Sequence, residues 1–263
     1  MTEKNKIIGC LHDAGVLDAV RWAYDSALSR TLIDFSEDAG HDATLLGIMR
    51  HTLFRDRLDR VFACGKYQVP DDAEPDSGLA ALFAELPDKD IATMPRLDPG
   101  FVRSSLLNGS PGWRFQDLRL LMASCDFGKT DSLPWGEKSE TKQRVAKQQP
   151  WDGHPSLFDD TNLLDGDWRL PYAGQLLDLE TFVVAHSLDA VSQKSELIIG
   201  RPRLNLDGGD AWHWRKDLDQ MPPSTGGRRF DQPPAQAPDT GTADAPVRLR
   251  RAVSEESKRA DAE

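Results

Sequence analysis

The hydrophobic positions near the N-terminus recur at helical spacing in two runs, separated by a polar break at Ser36–Asp42. Val16, Val20, Tyr24, Ala27, Leu28, Thr31 and Phe35 share one side of a 3.6-residue helix, with Asp18, Asp25 and Ser29 opposite. Trp22 and Ile33 lie off that stripe and point to a second contact. Asp42 is placed to cap a second helix that ends near Cys64–Gly65. The apolar face of this helix rotates: Leu45, Leu46, Met49 and Leu53 lead, and Phe54, Leu58 and Val61 follow on a different side. A rotating face belongs to a helix that bends or meets two neighbours. Two helices joined at Ala39–Gly40–His41 fit a helical hairpin and also a helix-turn-helix.

Past Gly65 the pattern is less regular. Val69–Pro75 reads as an acidic, proline-flanked linker, Ser77–Leu86 as a short helix, and Pro87–Gly112 mainly as loop with a turn of helix at Phe101–Leu107. Phe115, Leu118, Leu121, Met122 and Cys125 recur at near-helical intervals and predict a helix from about Arg114 to Cys125. Asp126–Asp167 is polar and broken by Pro134, Pro150 and Pro155, which makes it a long loop of the kind that is functional or disordered. Pro171 suits the start of a helix running to about Val191, and apolar residues surround most of it, so it reads as a central buried element. Glu196–Gly200 and Arg203–Leu206, then Asp207–Gly208–Gly209, then the alternating Ala211–Arg215, predict a β-hairpin. From Pro222 onward proline and glycine dominate and Phe230 is the one aromatic, too little apolar surface to fold alone.

The expected architecture is therefore α+β and helix-dominated. It comprises an N-terminal helical hairpin or helix-turn-helix-like pair over 1–75 and an α+β part over 76–220. That second part holds a long polar loop at about 126–167 and a C-terminal β-hairpin packed on helices. A disordered tail covers 221–263.

Charge narrows the partners. A net charge of −11 argues against general adhesion to nucleic acid or anionic membrane, yet allows a local basic face. Arg50, Arg57 and Arg60 fall within a narrow arc of the second helix, where they would contact phosphate or pair with Asp56 and Asp59. In a regular strand Trp212 and Trp214 face one way and His213 the other, so the tryptophans read as a core anchor or as a stacking platform flanked by Arg215. No apolar run reaches the roughly 18 residues of a membrane span, and Met1–Lys6 lacks the layout of a secretory signal, so a cytoplasmic location is expected. Cys10, Cys64 and Cys125 are too far apart for metal spacing and read as free thiols.

Four short motifs each admit a functional and a purely structural reading. Ala123–Thr130 resembles a relaxed phosphate-binding loop, in which Lys129 would meet phosphates and Thr130 magnesium, but Pro134 follows where a helix should open. His12–Asp13 and His41–Asp42 resemble the His-Asp doublets of metal-dependent phosphohydrolases, while as simple helix caps the aspartates need no metal. Asp160–Asp167 has its glycine one place late for a calcium loop. Glu196 sits on a strand without the lysine of a nuclease core, and His186 reads as a core histidine. The leading expectation is a non-catalytic interaction or regulatory protein with a protein partner, within a nucleic-acid-handling assembly. The alternative is a metal- or nucleotide-dependent phosphoester hydrolase using His12, His41 and Asp42 or Lys129 and Thr130. No cofactor, metal site or membrane contact is expected.

Overall fold

The computed structural model describes residues 2–68, 79–98, 100–150, 179–222 and 228–229. The predicted linker at 69–75, the Asp160–Asp167 motif, the beginning of the predicted 171–191 helix and nearly all of the tail lie outside the described residues. The described residues belong to one compact unit.

Three helices open the chain. α1 (Glu3–Asp13) starts where the Thr2 hydroxyl accepts from the Asn5 amide, and it buries Ile7 and Leu11. Gly15, at φ 74°, takes the left-handed conformation that lets the chain turn directly into α2 (Val16–Asp34). α3 (Ala43–Val61) begins at Asp42, whose carboxylate accepts from the Leu45 amide at 2.8 Å. Trp22, off the main stripe, finds its second contact: it is buried and donates to the carbonyl of Asp90 at 3.0 Å. Ile33 is exposed. Two short helices follow, α4 (Leu79–Phe83) and α5 (Asp88–Thr93), and α6 (Glu140–Ala146) comes later. No helix among the described residues is long and apolar enough to cross a membrane.

A six-stranded mixed sheet forms the middle of the unit. In spatial order its strands are β2 (Arg103–Ser104), β3 (Gly112–Phe115), β4 (Leu118–Ser124), β5 (Glu180–Leu188), β6 (Ser195–Pro202) and β7 (Trp212–Asp217). All neighbours are antiparallel except β4 and β5, which run parallel with Leu118 opposite Glu180. β1 (Pro95–Arg96) and β8 (Arg228–Arg229) make a separate antiparallel pair. The α+β class holds, with a mixed sheet at the centre.

Each face of the sheet has its own apolar layer. On one face Phe115, Leu120, Met122, Phe182, Val184 and Ile199 pack against Leu11, Leu17, Tyr24, Phe54 and Leu58 from α1–α3. On the other, Leu121, Ala123, Val183, Ala185 and Ile198 lie under Trp135, Val145 and Ala146 of the crossover that returns the chain to β5. A parallel pair needs such a crossover.

This two-sided burial corrects two expectations. The stretch predicted as a helix at 114–125 is the β3–β4 hairpin, turned at Gln116–Asp117 with Gln116 at φ 52°. Residues 180–188, predicted as helix, are β5, buried from Thr181 to Leu188. Strands covered on both faces show continuous apolar runs instead of alternation, and periodicity cannot tell such runs from a buried helix. The loop expected at 126–167 contains a 3₁₀ turn at Trp135–Glu137 and α6. Arg203–Leu206 is not strand, and β6 reaches its antiparallel neighbour β7 through residues 203–211.

The two tryptophans part company for a reason of register. Arg201 faces Trp214 but Pro202 faces Trp212, so β7 carries one extra residue, His213, at a β-bulge. The parity of the strand flips there. Trp212 joins the Trp135 layer and Trp214 packs on the helical side, against the expectation that they share a face. Gly200 makes room for this, since a Cβ there would stand 2.5 Å from the Trp214 carbonyl oxygen and 2.7 Å from the Trp212 indole.

Two charged networks tie helices to the rest. Arg201 is 1% exposed and reaches Glu3 on α1 and Glu180 on β5. Asp56 accepts from Arg57, Arg60 and Tyr67 and pairs with Lys66. Burial opposes the Asp56 charge, but hydrogen bonds from Lys66, Tyr67 and Arg60 outweigh it and hold the carboxyl well below the usual range.

Candidate functional site

A cleft of about 860 Å³ opens at the carboxyl ends of the parallel strands β4 and β5. In open sheets this is where ligands settle, beyond the carboxyl ends of parallel strands. The beginning of α3 forms one wall with Ala43, Leu46 and Gly47. Ser124, Cys125, Asp126 and Phe127 continue from β4, Leu188 and Asp189 from β5, and Lys129, Pro134, Glu137 and Lys138 complete the rim.

Arg50 lines this cleft from α3 and is 5% exposed. Its Nε has no hydrogen-bond partner, and no ion pair reaches the guanidinium among the described residues. Burial lowers its pKa from the usual arginine value, partly offset by Tyr24, Cys125 and Asp126 nearby. An unpaired buried charge is among the most costly features a fold can carry. By contrast the Lys138 ammonium donates to the Ser124 carbonyl at 3.2 Å.

Beside Arg50 lies a pair of histidines. His51 Nδ1 and His186 Nε2 are 3.3 Å apart, with their rings stacked at 5.6 Å, and Phe54 closes on His186 edge-on at 5.2 Å. One of the two nitrogens must carry the shared hydrogen. His186 is fully buried, and its Nδ1 has no partner among the described residues. Burial, then the positive charges of Lys142, Arg55 and Arg50, push His51 down to about 4, and burial with Arg50 pushes His186 well below 6.5. Both rings are neutral at pH 7. The unfolded chain takes up these protons near pH 6.5 while the folded one refuses them, so stability falls as pH drops from about 6.5 toward 4. In urea titrations at stepped pH, His186→Phe is expected to flatten that slope. An unchanged slope would remove the pair as its cause.

The residues singled out from the sequence are placed as follows. Arg57 and Arg60 are 4% and 7% exposed. Arg57 donates to Ser26 and Asp56, and Arg60 to Asp56 and to the carbonyls of Leu82 and Ala84 at 2.6 and 2.8 Å. Of the arc expected to meet phosphate or to pair with Asp56 and Asp59, Arg57 and Arg60 are thus turned inward and held by Asp56 and by carbonyls at the end of α4. Trp212 is buried, donating to the Thr130 carbonyl at 2.7 Å, and Trp214 donates to Glu3. Arg215 pairs with Asp131.

The phosphohydrolase groups do not converge. His12 contacts the Pro222 carbonyl, His41 accepts from the Ser36 amide, and Asp42 caps α3. Among the described residues no three histidine, cysteine or acidic groups are gathered to hold a metal. The loop after β4 does follow a strand, as a phosphate-binding loop requires. However, Glu196 accepts from its Gly128 amide and Thr130 hydroxyl, placing a carboxylate where phosphate would sit. Sequence reasoning missed the histidine pair and the cleft, whose parts lie far apart along the chain. Compared with known proteins, the chain matches no family model, no curated protein and no solved structure.

Proposed function

We propose that this is a non-catalytic binding protein whose ligand is a small organic anion seated in the β4–β5 cleft. The observation that carries this reading is Arg50: a buried side chain lining the cleft, with its Nε unpartnered and no ion pair to it among the described residues. Such a group lowers the stability of the empty protein and gains most from an anion that reaches it away from water. A binding role suits the neighbouring chemistry better than catalysis does. Burial raises the Cys125 thiol to about 11, which keeps it protonated and a poor nucleophile at neutral pH. Regulation through the bound ligand is the natural use of such a site in an interaction protein.

Arg50→Met separates this from a merely structural arginine. The variant is expected to be more stable than the wild type by about 1 kcal/mol when no ligand is added. In thermal-shift assays, organic carboxylates or phosphates should raise the melting temperature of the wild type but not of the variant. If no anion shifts the wild type, and Arg50→Met is the less stable protein, the reading fails.

A further inference from the structure

Resting on that reading, we infer that the ligand is a zwitterion of the amino-acid or short-peptide class. Its carboxylate sits on Arg50 and its ammonium lies among the acidic groups of the rim. Arg50 brings a single positive charge, which one carboxylate neutralises, with the two parallel N–H groups of a guanidinium edge matching its two oxygens. A phosphate monoester carries up to two negative charges and needs further cations. The remaining wall does not supply them in excess, since Asp126, Glu137 and Asp189 outnumber Lys129 and Lys138, and Lys138 already donates to a backbone carbonyl.

Asp126 and Glu137, which repel a second anion, attract an ammonium, whereas the Asp189 carboxylate already accepts from Val191 and Ser192. Arg50 is buried, while Asp126, just past the end of β4, and Glu137 stand exposed at the rim. A ligand positive at one end and negative at the other matches both. Leu46, Phe127, Pro134 and Leu188 offer apolar contact to its side chain. The volume, about 860 Å³, exceeds what one amino acid fills and leaves room for a short peptide.

Isothermal titration calorimetry on the full chain tests this with leucine, phenylalanine and the dipeptide leucyl-phenylalanine. Terminally blocked forms (N-acetyl or C-amide), inorganic phosphate and adenosine monophosphate serve as comparators. At least one of the three unblocked zwitterions is expected to bind. Affinity should fall tenfold or more when either terminus is blocked, or when Arg50→Met or Asp126→Asn is introduced. The blocked ligands act on the wild type, so the test stands even if a variant does not fold. Arg50-dependent binding of phosphate or adenosine monophosphate without the zwitterions overturns this inference and leaves the anion-binding reading intact. No Arg50-dependent binding of any probe overturns both.

Discussion

Replacing Arg201 with methionine is expected to cost about 3–5 kcal/mol, the range for breaking a buried charge pair from one side. Its guanidinium lies over the Phe182 ring at 4.6 Å, donates from Nε to Glu3 at 3.0 Å and also holds Glu180. The cost comes mainly from what is left behind. Glu3 is 7% exposed, and its carboxylate would face a low-dielectric interior without its guanidinium. It would also unfasten α1 from β6, which nothing local in the sequence joins. The double variant Glu3→Gln with Arg201→Met should therefore recover part of the loss, because the stranded charge is gone. Urea unfolding midpoints measure both. A single-variant cost below about 1 kcal/mol would show that Glu3 is better solvated than its position implies.

Trp135→Ala is expected to destabilise the chain by a similar amount, about 3–5 kcal/mol for deleting a buried indole. Trp135 has no exposed surface, donates from Nε1 to the Ala211 carbonyl at 2.6 Å and meets Trp212 edge-to-face at 5.2 Å. It is the keystone between the crossover and the β6–β7 connection, since its own amide also donates to Asn205 at 3.0 Å. Trp135→Phe should lose less, roughly 1–3 kcal/mol, from the carbonyl left without its donor and the smaller ring. Chemical unfolding with near-ultraviolet circular dichroism follows both changes. If alanine were tolerated with little loss, the second apolar layer would be an ornament on a fold held by α1–α3 alone.

How far the chain could be read follows from what kind of burial each element has. α2 and α3 were legible because each presents one apolar stripe, and Asp42 marks a start with its own side chain. Trp22 was legible as an outlier and proved to be a real second contact. β4 and β5 were misread because both of their faces are covered, which removes the alternation that identifies a strand. α1 escaped because its fully inward residues are few, with Ile7 and Leu11 carrying most of it. The separation of Trp212 from Trp214 depends on one unpaired residue in a register, which no local pattern records. Arg50 was picked out, but as part of a surface arc. Its neighbours at the cleft come from residues 124–138 and 188–189, and only the fold brings them to α3.

The parallel pairing of β4 with β5 also governs how the chain is born. During synthesis the β3–β4 hairpin leaves the ribosome with one long apolar edge open, and the strand that covers it arrives only after residues 125–179 have been made. Closing so long a loop carries an entropic delay that the tight turn at Gln116–Asp117 does not. Until β5 docks, that edge is a template for any other extended chain. The nascent protein is thus most exposed to self-association in this interval, and a chaperone that shields β4 during it would raise the yield of folded chain without touching the finished structure.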